Sequence, residues 1–392
     1  MSTESENINA TVQINNEPEE LQDNQNNQNQ QNQLNQQNNQ NQTENSENTP
    51  KKMLTTEERF KFYNEVLKKP EIILAPMVDG SDVSYRSFLL KHGINLCYTP
   101  MVMSKMFVES KTYRREIVKS LVPEERPIII QIVGNDPTQM ARTAKFLQSH
   151  GDAIDINLGC PQNIAQKGKY GAYLAQDFEL TKAVVTAVVQ NTKIPVYCKI
   201  RVFEDLEKTI QFVKMLEECG IDGLCVHGRT IREKTSMNFA ARWSYIAEVK
   251  KVAKVPVIAN GEMRSIDDYK RCKEQTNADG FMIGIGLLLN PGMMEGVLND
   301  NLKYAEEYLQ IAKEMKEKYT VKLGEVKGHL IKMMLYKIKP HNELMKEIGD
   351  AHTFEAVEIW FNKVKELCER KRNVEDVDLE NTDDMNGKKE LK

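Results

Sequence analysis

Eight short apolar segments, separated by stretches with helix signals, limit the possible folds of this chain more than any other feature. Several of the segments are apolar throughout, which is typical of parallel strands buried on both faces. Eight strands that alternate with helices over about 215 residues predict an α/β fold, the TIM (β/α)8 barrel. The segments occupy residues 72–76, 95–99, 128–133, 153–158, 196–201, 223–227, 257–260 and 280–284.

A doubly wound sheet is the structural alternative to the barrel. That fold usually has fewer strands, and a glycine-rich turn follows its first strand. This chain has Ala75, Pro76 and Met77 at the corresponding place, which do not supply such a turn. The barrel is therefore the prediction that we carry forward.

The stretches between the strands carry signals for helix ends. Asp136 followed by Pro137 predicts an N-cap and a first-turn proline. Residues 265–268 resemble a capping box with Asp in place of Glu. Gly151 and Gly220 each follow a helix-like stretch, where a left-handed C-cap residue is favoured.

Composition divides the remainder of the chain. Residues 24–42 are Asn and Gln apart from Leu34, so they have nothing to bury that would offset the entropy of ordering them. Beyond residue 300 the strand-like runs stop, and Lys, Glu, Leu and Met become frequent, which indicates helices. We therefore predict a disordered Asn/Gln-rich tail (1–50), the barrel (51–300), a smaller all-helical domain (301–372) and an acidic disordered tail (373–392).

The charge balance changes when the two predicted tails are set aside. The whole chain has 53 basic and 57 acidic side chains, whereas the body without the tails has 50 and 42. Part of the basic excess lies in residues 321–346, which hold six lysines and two glutamates together with His329 and His341. A basic body suits a polyanionic partner, although a solvated helix face is the alternative for the helical stretch.

Other features of the sequence bear on compartment and metal content. The first residues are polar and acidic and carry no apolar signal segment. No apolar run approaches the ~20 residues of a membrane span. Seven cysteines without a Cys-x-x-Cys pair speak against a disulfide framework or a zinc site. We expect an intracellular protein with no metal and no membrane contact, in the cytoplasm with the nucleus also open, and of undetermined oligomeric state.

The active site of a TIM barrel lies at the C-terminal ends of its strands. Cys160 follows the fourth segment and stands in a loop outside the apolar run, so we single it out as the reactive cysteine. An incidental loop cysteine is the alternative. Cys97, Cys198 and Cys225 lie within strands, where a cysteine is more often an inert core residue.

Other polar residues and glycines end the neighbouring strands. Lys199 suits a flavin edge where negative charge collects on reduction, or else reaches solvent. His227 either hydrogen-bonds such a cofactor or ties its strand to the next loop. The loops after strands seven and eight contain Gly261, Gly284 and Gly286. They suit a phosphate, because glycines let backbone N–H groups approach it closely.

Several of these residues belong to motifs that occur in a fixed order between about residues 72 and 291. The most specific is Asn157-Leu158-Gly159-Cys160-Pro161-Gln162, followed by Gly168, Tyr170, Gly171, Ala172 and Leu174. The others are Ala75-Pro76-Met77-Val78, Tyr98-Thr99-Pro100-Met101, Gln131 with Gly134-Asn135-Asp136-Pro137, Lys199 with Arg201, His227-Gly228-Arg229-Thr230 and Asn260-Gly261. Together they resemble the tRNA-dihydrouridine synthase family, most of all the eukaryotic subgroup that acts on D-loop uridines 16 and 17.

This resemblance implies that FMN is the cofactor, NADPH the reductant and tRNA the partner and substrate. Hydride passes from reduced FMN to C6 of a uracil that is flipped out of its stack, and Cys160 donates a proton to C5. The implied cofactor-binding residues are Pro76, Met77, Gln131, Lys199, His227, Asn260, Gly261, Gly284 and Gly286. The implied substrate-binding residues are Asn157, Arg201 and Arg229 in the barrel, and Lys327, His329 and Lys332 in the helical domain.

Two departures from the family pattern concern the fine geometry of loops. Ile285 stands between the glycines after strand eight, where the family often has Arg or Glu. After Thr230 the family commonly has a Gln-Lys-Gly run, which Glu233-Lys234-Thr235-Ser236 replaces. Two alternative functions stay open: an FMN-dependent TIM-barrel oxidoreductase of a small substrate, similar to dihydroorotate dehydrogenase, and a tRNA-binding protein without catalysis.

Overall fold

Nine parallel strands form one sheet that closes into a barrel. The structure, a computed structural model, describes residues 52–234, 239–297 and 301–386, with side chains as far as residue 370. The predicted tail at residues 1–50 lies outside this range. The strands are β1 (Ile72–Leu74), β2 (Leu96–Tyr98), β3 (Val102–Met103), β4 (Ile128–Val133), β5 (Ala153–Leu158), β6 (Val196–Arg201), β7 (Gly223–His227), β8 (Val257–Asn260) and β9 (Gly280–Ile283).

Eight of these strands coincide with the eight predicted segments, and the TIM barrel is confirmed. Strands β4 to β9 pair in sequence order, each parallel to the next. Strand β1 lies between β9 and β2 and pairs with both. The pairing of β2 with β4, with Cys97 opposite Ile128, closes the ring. The additional strand β3 only extends the edge of β4, where Val102 lies opposite Ile132.

Fifteen α-helices lie within the described residues. They are α1 (Thr56–Lys61), α2 (Val83–Leu90), α3 (Ser104–Glu109), α4 (Lys111–Lys119), α5 (Pro137–Leu147), α6 (Asn163–Gly168), α7 (Phe178–Gln190), α8 (Leu206–Glu218), α9 (Trp243–Val252), α10 (Ile266–Thr276), α11 (Ile285–Leu289), α12 (Leu302–Met315), α13 (Leu323–Ile338), α14 (Asn342–Asp350) and α15 (Phe354–Asn386). Helices α2 to α11 accompany the barrel strands. Helices α12 to α15 form the predicted C-terminal helical region.

The predicted signals for helix starts are confirmed. The Asp136 side chain accepts the N–H of Gln139 at 2.8 Å and caps α5. Ser265 and Asp268 make both hydrogen bonds of a capping box at the start of α10. These bonds join residues three apart, so the local sequence specifies them without help from the rest of the fold.

The two glycines that we predict at helix ends behave differently. Gly220 has a φ of +91° just after α8, as predicted. Gly151 lies beyond the end of α5 and is not among the positive-φ glycines of the described chain, so that prediction is wrong. A Cβ at Gly151 would lie 2.8 Å from Cγ1 of Ile130. Close packing against β4, rather than a backbone turn, explains this glycine.

The N-terminal mouth of the barrel is closed by the segment that precedes β1. After α1, a π-helical turn at Phe62–Val66 carries Tyr63, which is 1% exposed and packs in the interior cluster with Tyr197 and Met282. The Tyr63 hydroxyl donates to the carbonyl of Pro70 at 2.9 Å. The C-terminal ends of the strands therefore offer the open side of the barrel.

The helical region is bound tightly to the first βα unit of the barrel. The Tyr85 ring of α2 stacks on the His329 ring of α13 with 3.9 Å between centroids. The Tyr85 hydroxyl donates to the carbonyl of Leu287 at 2.7 Å and so links α2 to α11. None of the described helices has both the length and the apolar character that a membrane span requires.

The last described helix reaches into the predicted acidic tail. Helix α15 is described as far as Asn386, and the disordered tail that we predict from residue 373 stays a prediction. The sequence between residues 373 and 386 contains neither Pro nor Gly, the two residues that most often end a helix, and the first of these is Gly387. The segment therefore has no local signal that would stop α15 at residue 372.

Candidate active site

An open cleft of ≈ 200 Å³ lies at the C-terminal ends of strands β1, β6, β7, β8 and β9. Eight of the nine predicted cofactor residues line it: Pro76, Met77, Lys199, His227, Asn260, Gly261, Gly284 and Gly286. The ninth, Gln131, does not line this cleft and instead contacts Asn157.

Lys199 is held in one position by a short chain of hydrogen bonds. Its Nζ donates to Oδ1 of Asn260 at 2.8 Å. The amide nitrogen of Asn260 in turn donates to the carbonyl of Met282 at 2.7 Å. Burial lowers the pKa of the Lys199 ammonium from its ordinary value. The cleft thus presents an amine whose direction is fixed before any ligand arrives.

His227 faces the same cleft as a neutral imidazole. Burial, and then the positive charges of Lys199, Arg201 and Arg229, lower its pKa well below the ordinary value. Its Nε2 lies 3.2 Å from Nη1 of Arg229. A guanidinium only donates, so Nε2 must accept and the ring proton must reside on Nδ1. Neutral His227 therefore has an N–H to donate on its other ring nitrogen.

Two glycines bring the backbone close to the cleft. Gly261 has a φ of +112°, and a Cβ there would lie 2.8 Å from Cδ2 of His227. A Cβ at Gly284 would lie 3.2 Å from Sδ of Met77. A side chain at either position would enter the space between β1, β7 and β9. The glycines keep this part of the cleft open.

The Cys160 loop follows β5 directly, and Asn157 near the end of that strand lies opposite Lys199 on β6, which lines the cleft. Oδ1 of Asn157 accepts the N–H groups of Gly159 at 3.1 Å and Cys160 at 3.0 Å. The carbonyl of Cys160 accepts the N–H of Ala172 at 3.0 Å. Gly171, with a φ of +63°, lies so close that a Cβ there would be 2.8 Å from that carbonyl oxygen. The conformation of Cys160 is therefore fixed from both sides.

Cys160 also differs from the other cysteines in exposure. It is partly exposed, whereas the remaining six are buried. Burial raises the pKa of the Cys225 thiol to about 12 and that of Cys97 above its ordinary value. Thiols of this kind are inert, and the placement of Cys97, Cys198 and Cys225 in the core agrees with our expectation.

Arg201 connects two loops rather than pointing freely outward. Its Nε donates to the carbonyl of Gly159 at 2.9 Å. Its Nη1 donates to the carbonyls of Thr230 at 2.8 Å and Glu233 at 3.1 Å. Burial and the charge of Arg229 lower the pKa of Arg201 to about 10, so it stays charged at neutral pH. It therefore joins the Cys160 loop to the loop after β7.

The family of the chain follows from direct comparison. The dihydrouridine synthase (Dus) family model matches residues 73–382. This chain belongs to the dihydrouridine synthase family. The match covers both the barrel and the C-terminal helices, so it embraces the cleft, the Cys160 loop and the helical region together.

Named relatives distinguish between subgroups of dihydrouridine synthases. The chain is 37% identical to a tRNA-dihydrouridine(16/17) synthase-like protein of Rattus norvegicus, over 79% of this chain and 70% of the relative. It is 36% identical to the tRNA-dihydrouridine(16/17) synthase of Schizosaccharomyces pombe, over 81% and 84%. Identity to a human tRNA-dihydrouridine(20a/20b) synthase-like protein is 33%, over 63% and 78%. The resemblance to the 16/17 subgroup is thereby confirmed.

Solved structures add only a distant likeness. The chain is similar to a 2-naphthoyl-CoA reductase complex with a TM-score of 0.45 and 13% identity, over 61% of this chain and 53% of that one. A likeness of this degree identifies neither a ligand nor a reaction for this dihydrouridine synthase.

The three substrate-binding residues predicted in the helical region of this dihydrouridine synthase differ in how accessible they are. His329 is 0% exposed, and its Nε2 lies 2.5 Å from Oδ2 of Asp82. Burial acts to raise the pKa of Asp82, but hydrogen bonds from His329, Ser84 and the backbone outweigh it and lower the pKa to about 2. His329 therefore has no surface for tRNA, and its prediction as a contact is corrected to a role at the boundary with α2.

Lys327 and Lys332 lie nearer to the surface. Lys327 donates through Nζ to the carbonyls of Gly349 at 2.7 Å and Ala351 at 2.8 Å, at the end of α14. Lys332 donates to the carbonyl of Asp79 at 3.3 Å, in the loop that follows Pro76 and Met77. The predicted tRNA contacts of both lysines stay predictions. Their present contacts are to backbone, so a phosphate would compete with them.

Sequence reasoning missed several residues of this site. Glu262, Met263 and Arg264 line the cleft beside Gly261, and their position just after Asn260-Gly261 was the signal that could have revealed them. Nη2 of Arg229 lies 3.9 Å from Oε2 of Glu262.

Asp155, which no motif singled out, accepts a hydrogen bond from the side chain of Gln131. Within the described ranges no cluster of His, Cys, Asp or Glu is suited to a metal ion.

The residues of the cleft suit a flavin mononucleotide. Arg229, Arg264 and Lys199 outnumber the single carboxylate, Glu262, so the lining favours an anionic ligand. Gly261 and Gly284 leave space that a Cβ would fill, which a phosphate or a flat ring can use. Ile285 lines the cleft as well, and it is 48% exposed. Ile285 brings no charge to this part of the cleft, which Arg264 also lines.

Proposed function

We propose that this dihydrouridine synthase reduces uridine to 5,6-dihydrouridine at D-loop positions 16 and 17 of tRNA, with FMN as cofactor and NADPH as reductant. The observation that carries the proposal is a partly exposed cysteine in a fixed loop that follows β5, the strand next to Lys199 of a cationic cleft, in a chain of this family. Relatives named for uridines 16 and 17 support the choice of position.

Different residues of the cleft would bind the ring system and the phosphate of FMN. Lys199 and the proton-bearing Nδ1 of His227 would donate to the acceptor atoms of the ring system. Gly261, Gly284, Gly286 and Arg264 would surround the phosphate. When bound, FMN supplies the hydride that the pyrimidine receives at C6. The fixed direction of Lys199, set by Asn260 at 2.8 Å, means that little side-chain ordering is needed on binding.

Cys160 donates the proton that C5 of the pyrimidine receives. A thiol that gives up its proton becomes a thiolate, and a nearby cation stabilises that charge. Arg201 supplies this cation, because it donates to the carbonyl of Gly159, next to Cys160, and remains charged at neutral pH. The base must leave its stack to reach both groups. The basic helical region, including Lys327 and Lys332, provides charge for the tRNA backbone.

The proposal is tested by following the flavin spectrum anaerobically. We expect the purified protein to bind FMN, NADPH to bleach the flavin band, and unmodified tRNA to restore it with one dihydrouridine formed per turnover. Mass spectrometry of the tRNA product should place the modification at positions 16 and 17. Restoration by dihydroorotate-type small substrates but not tRNA would favour the small-substrate oxidoreductase. Binding of tRNA without any flavin would favour a non-catalytic tRNA-binding protein.

Gly261→Ala is expected to weaken FMN binding by about tenfold. The alanine would be strained at a φ of +112° and its methyl group would press on His227. The dissociation constant is measured by quenching of FMN fluorescence on titration into the apoprotein. Gly324→Ala is the matched control, because a Cβ at Gly324 meets no atom within 4 Å. Equal dissociation constants for the two variants would contradict a role of Gly261 in the cofactor site.

A further inference from the structure

A buried carboxyl lies below the active-site loop and has no evident role in stability. Asp155 on β5 is 0% exposed. Its Oδ2 accepts Nε2 of Gln131 at 2.7 Å, whereas its Oδ1 has no hydrogen-bond partner among the residues that the structure describes. Burial raises the pKa of Asp155 to about 7. An acid buried with so few partners destabilises a fold, so packing does not explain its presence.

Hydrogen bonds lead from Asp155 to Cys160 without a break. Oε1 of Gln131 accepts Nδ2 of Asn157 at 2.9 Å. Oδ1 of Asn157 then accepts the N–H groups of Gly159 and Cys160. Asp155 and Asn157 are two residues apart on β5, so they point to the same side of the strand, and Gln131 lies opposite Asp155 on β4.

The two ends of this chain of hydrogen bonds fix its direction. The N–H of Cys160 can only donate, so Asn157 must present its carbonyl oxygen there and its amide nitrogen to Gln131. Gln131 must then present its own amide nitrogen further inward, where it needs an acceptor. Without Asp155 the buried nitrogen of Gln131 would lack its acceptor, so Gln131 would lose the bond that fixes which of its amide atoms faces Asn157. An Asn157 amide that is no longer held by Gln131 can turn away, and its nitrogen cannot accept the N–H of Cys160.

We propose that Asp155 is a positioning residue for Cys160, which it orients through Gln131 and Asn157 as the terminal acceptor of the chain. The positioning is a property of the loop itself; its importance for catalysis rests on the proposed function. Lys199 lies opposite Asn157 on β6, so this chain of hydrogen bonds runs next to the strand that carries the lysine of the cleft.

The proposal predicts a local loss of order when the acceptor is removed. In the holoenzyme, Asp155→Ala is expected to accelerate amide hydrogen exchange of a peptide spanning Gly159 and Cys160 by about tenfold or more, because Asn157 would no longer hold those N–H groups. Asp155→Asn keeps an acceptor atom and nearly the same volume, so it should have a smaller effect in the same direction. This second variant keeps the test decisive if the alanine variant folds poorly.

Asp222→Asn is the matched control for charge removal inside the barrel. Asp222 is 1% exposed, and its Oδ2 accepts the N–H of Val196 at the opposite, N-terminal end of the strands. Its loss should leave exchange in the Cys160 loop unchanged. The same variants are then compared in two reactions: reduction of the flavin by NADPH, and its re-oxidation by tRNA. Asp155→Asn should slow re-oxidation several-fold more than reduction.

Each outcome has a defined meaning. Faster exchange in the Cys160 loop of the Asp155 variants, with selectively slow re-oxidation, supports the proposal. Unchanged exchange in that loop overturns it, as does faster exchange with unaltered re-oxidation by tRNA in an active enzyme. If the unsubstituted protein is not re-oxidised by tRNA, the proposed function fails, while the exchange measurement still decides whether Asp155 positions Cys160.

Discussion

Cys160→Ala is expected to slow re-oxidation of the reduced flavin by tRNA by about 10²–10⁴-fold, the usual contribution of a positioned general acid. Removal of the thiol takes away the proton for C5, while the cleft that holds the cofactor stays intact. Reduction by NADPH should therefore keep its rate. Anaerobic stopped-flow absorbance at the flavin band, with NADPH and tRNA added in separate experiments, measures both rates.

A second cysteine provides the control for this prediction. Cys219 caps the end of α8 and is buried outside the cleft. Cys219→Ala should leave both half-reactions unchanged. If Cys160→Ala and Cys219→Ala are re-oxidised by tRNA at the same rate, Cys160 is not the proton donor. The donor would then have to be found among the other polar groups that border the cleft.

Arg86→Leu is expected to lower the free energy of unfolding by about 3–5 kcal/mol, the typical loss when one partner of a buried ion pair is removed. Arg86 is 0% exposed and donates to Oε2 of Glu125 from Nε at 2.9 Å. It also donates to the carbonyls of Ser81 at 2.8 Å and Ser120 at 2.7 Å. The leucine would leave the buried carboxylate and both carbonyls without these donors. Urea denaturation followed by circular dichroism measures the loss.

The pH dependence of this loss has a definite sign. Burial raises the pKa of Glu125, and the charge of Arg86 opposes that rise. Without Arg86 the pKa of Glu125 in the folded state rises further above its value in the unfolded state. The variant therefore loses stability as the pH rises from the unfolded-state pKa to the folded-state pKa of Glu125. The difference from the unsubstituted protein should therefore be larger at pH 8 than at pH 5.

An exposed ion pair serves as the comparison for Arg86. Lys251 and Glu248 lie on the surface of α9, and removal of such a pair costs at most about 1 kcal/mol. Lys251→Met should therefore unfold near the same urea concentration as the unsubstituted protein. If Arg86→Leu behaves like Lys251→Met, the buried pair is not what holds the loop around Ser81 to the barrel.

The structure gives that loop a particular importance. Residues 75–82 connect β1 to α2 and contain the predicted cofactor contacts Pro76 and Met77. Arg86 holds the loop from the barrel side, and His329 and Lys332 hold it from α13 through Asp82 and Asp79. The helical region therefore contributes to the geometry of the cleft as well as to the charge of the surface. This explains why a histidine predicted to meet tRNA is instead buried.

The sequence by itself determined the features that depend on residues close together in the chain. The eight strands follow from apolar runs, and the caps at Asp136 and Ser265 depend on bonds to residues three positions away. The Cys160 motif identified both the loop and the family. The prediction of a left-handed C-cap at Gly151 failed because this glycine is required by close packing against Ile130 of β4, which is near in space but distant in the sequence.

Only the tertiary structure decided which partners the functional side chains have. The spacing of strand ends predicted that Arg201, His227 and Lys199 lie at the same mouth of the barrel. It did not predict the groups that orient them, which are backbone carbonyls for Arg201, the Arg229 guanidinium for His227 and the Asn260 amide for Lys199. The partners of Arg86, Asp155 and His329 lie 39, 24 and 247 residues away in the chain. Such contacts depend on how strands pair and helices dock, and a hydrogen bond or a pKa depends on distances that no local pattern of residues specifies.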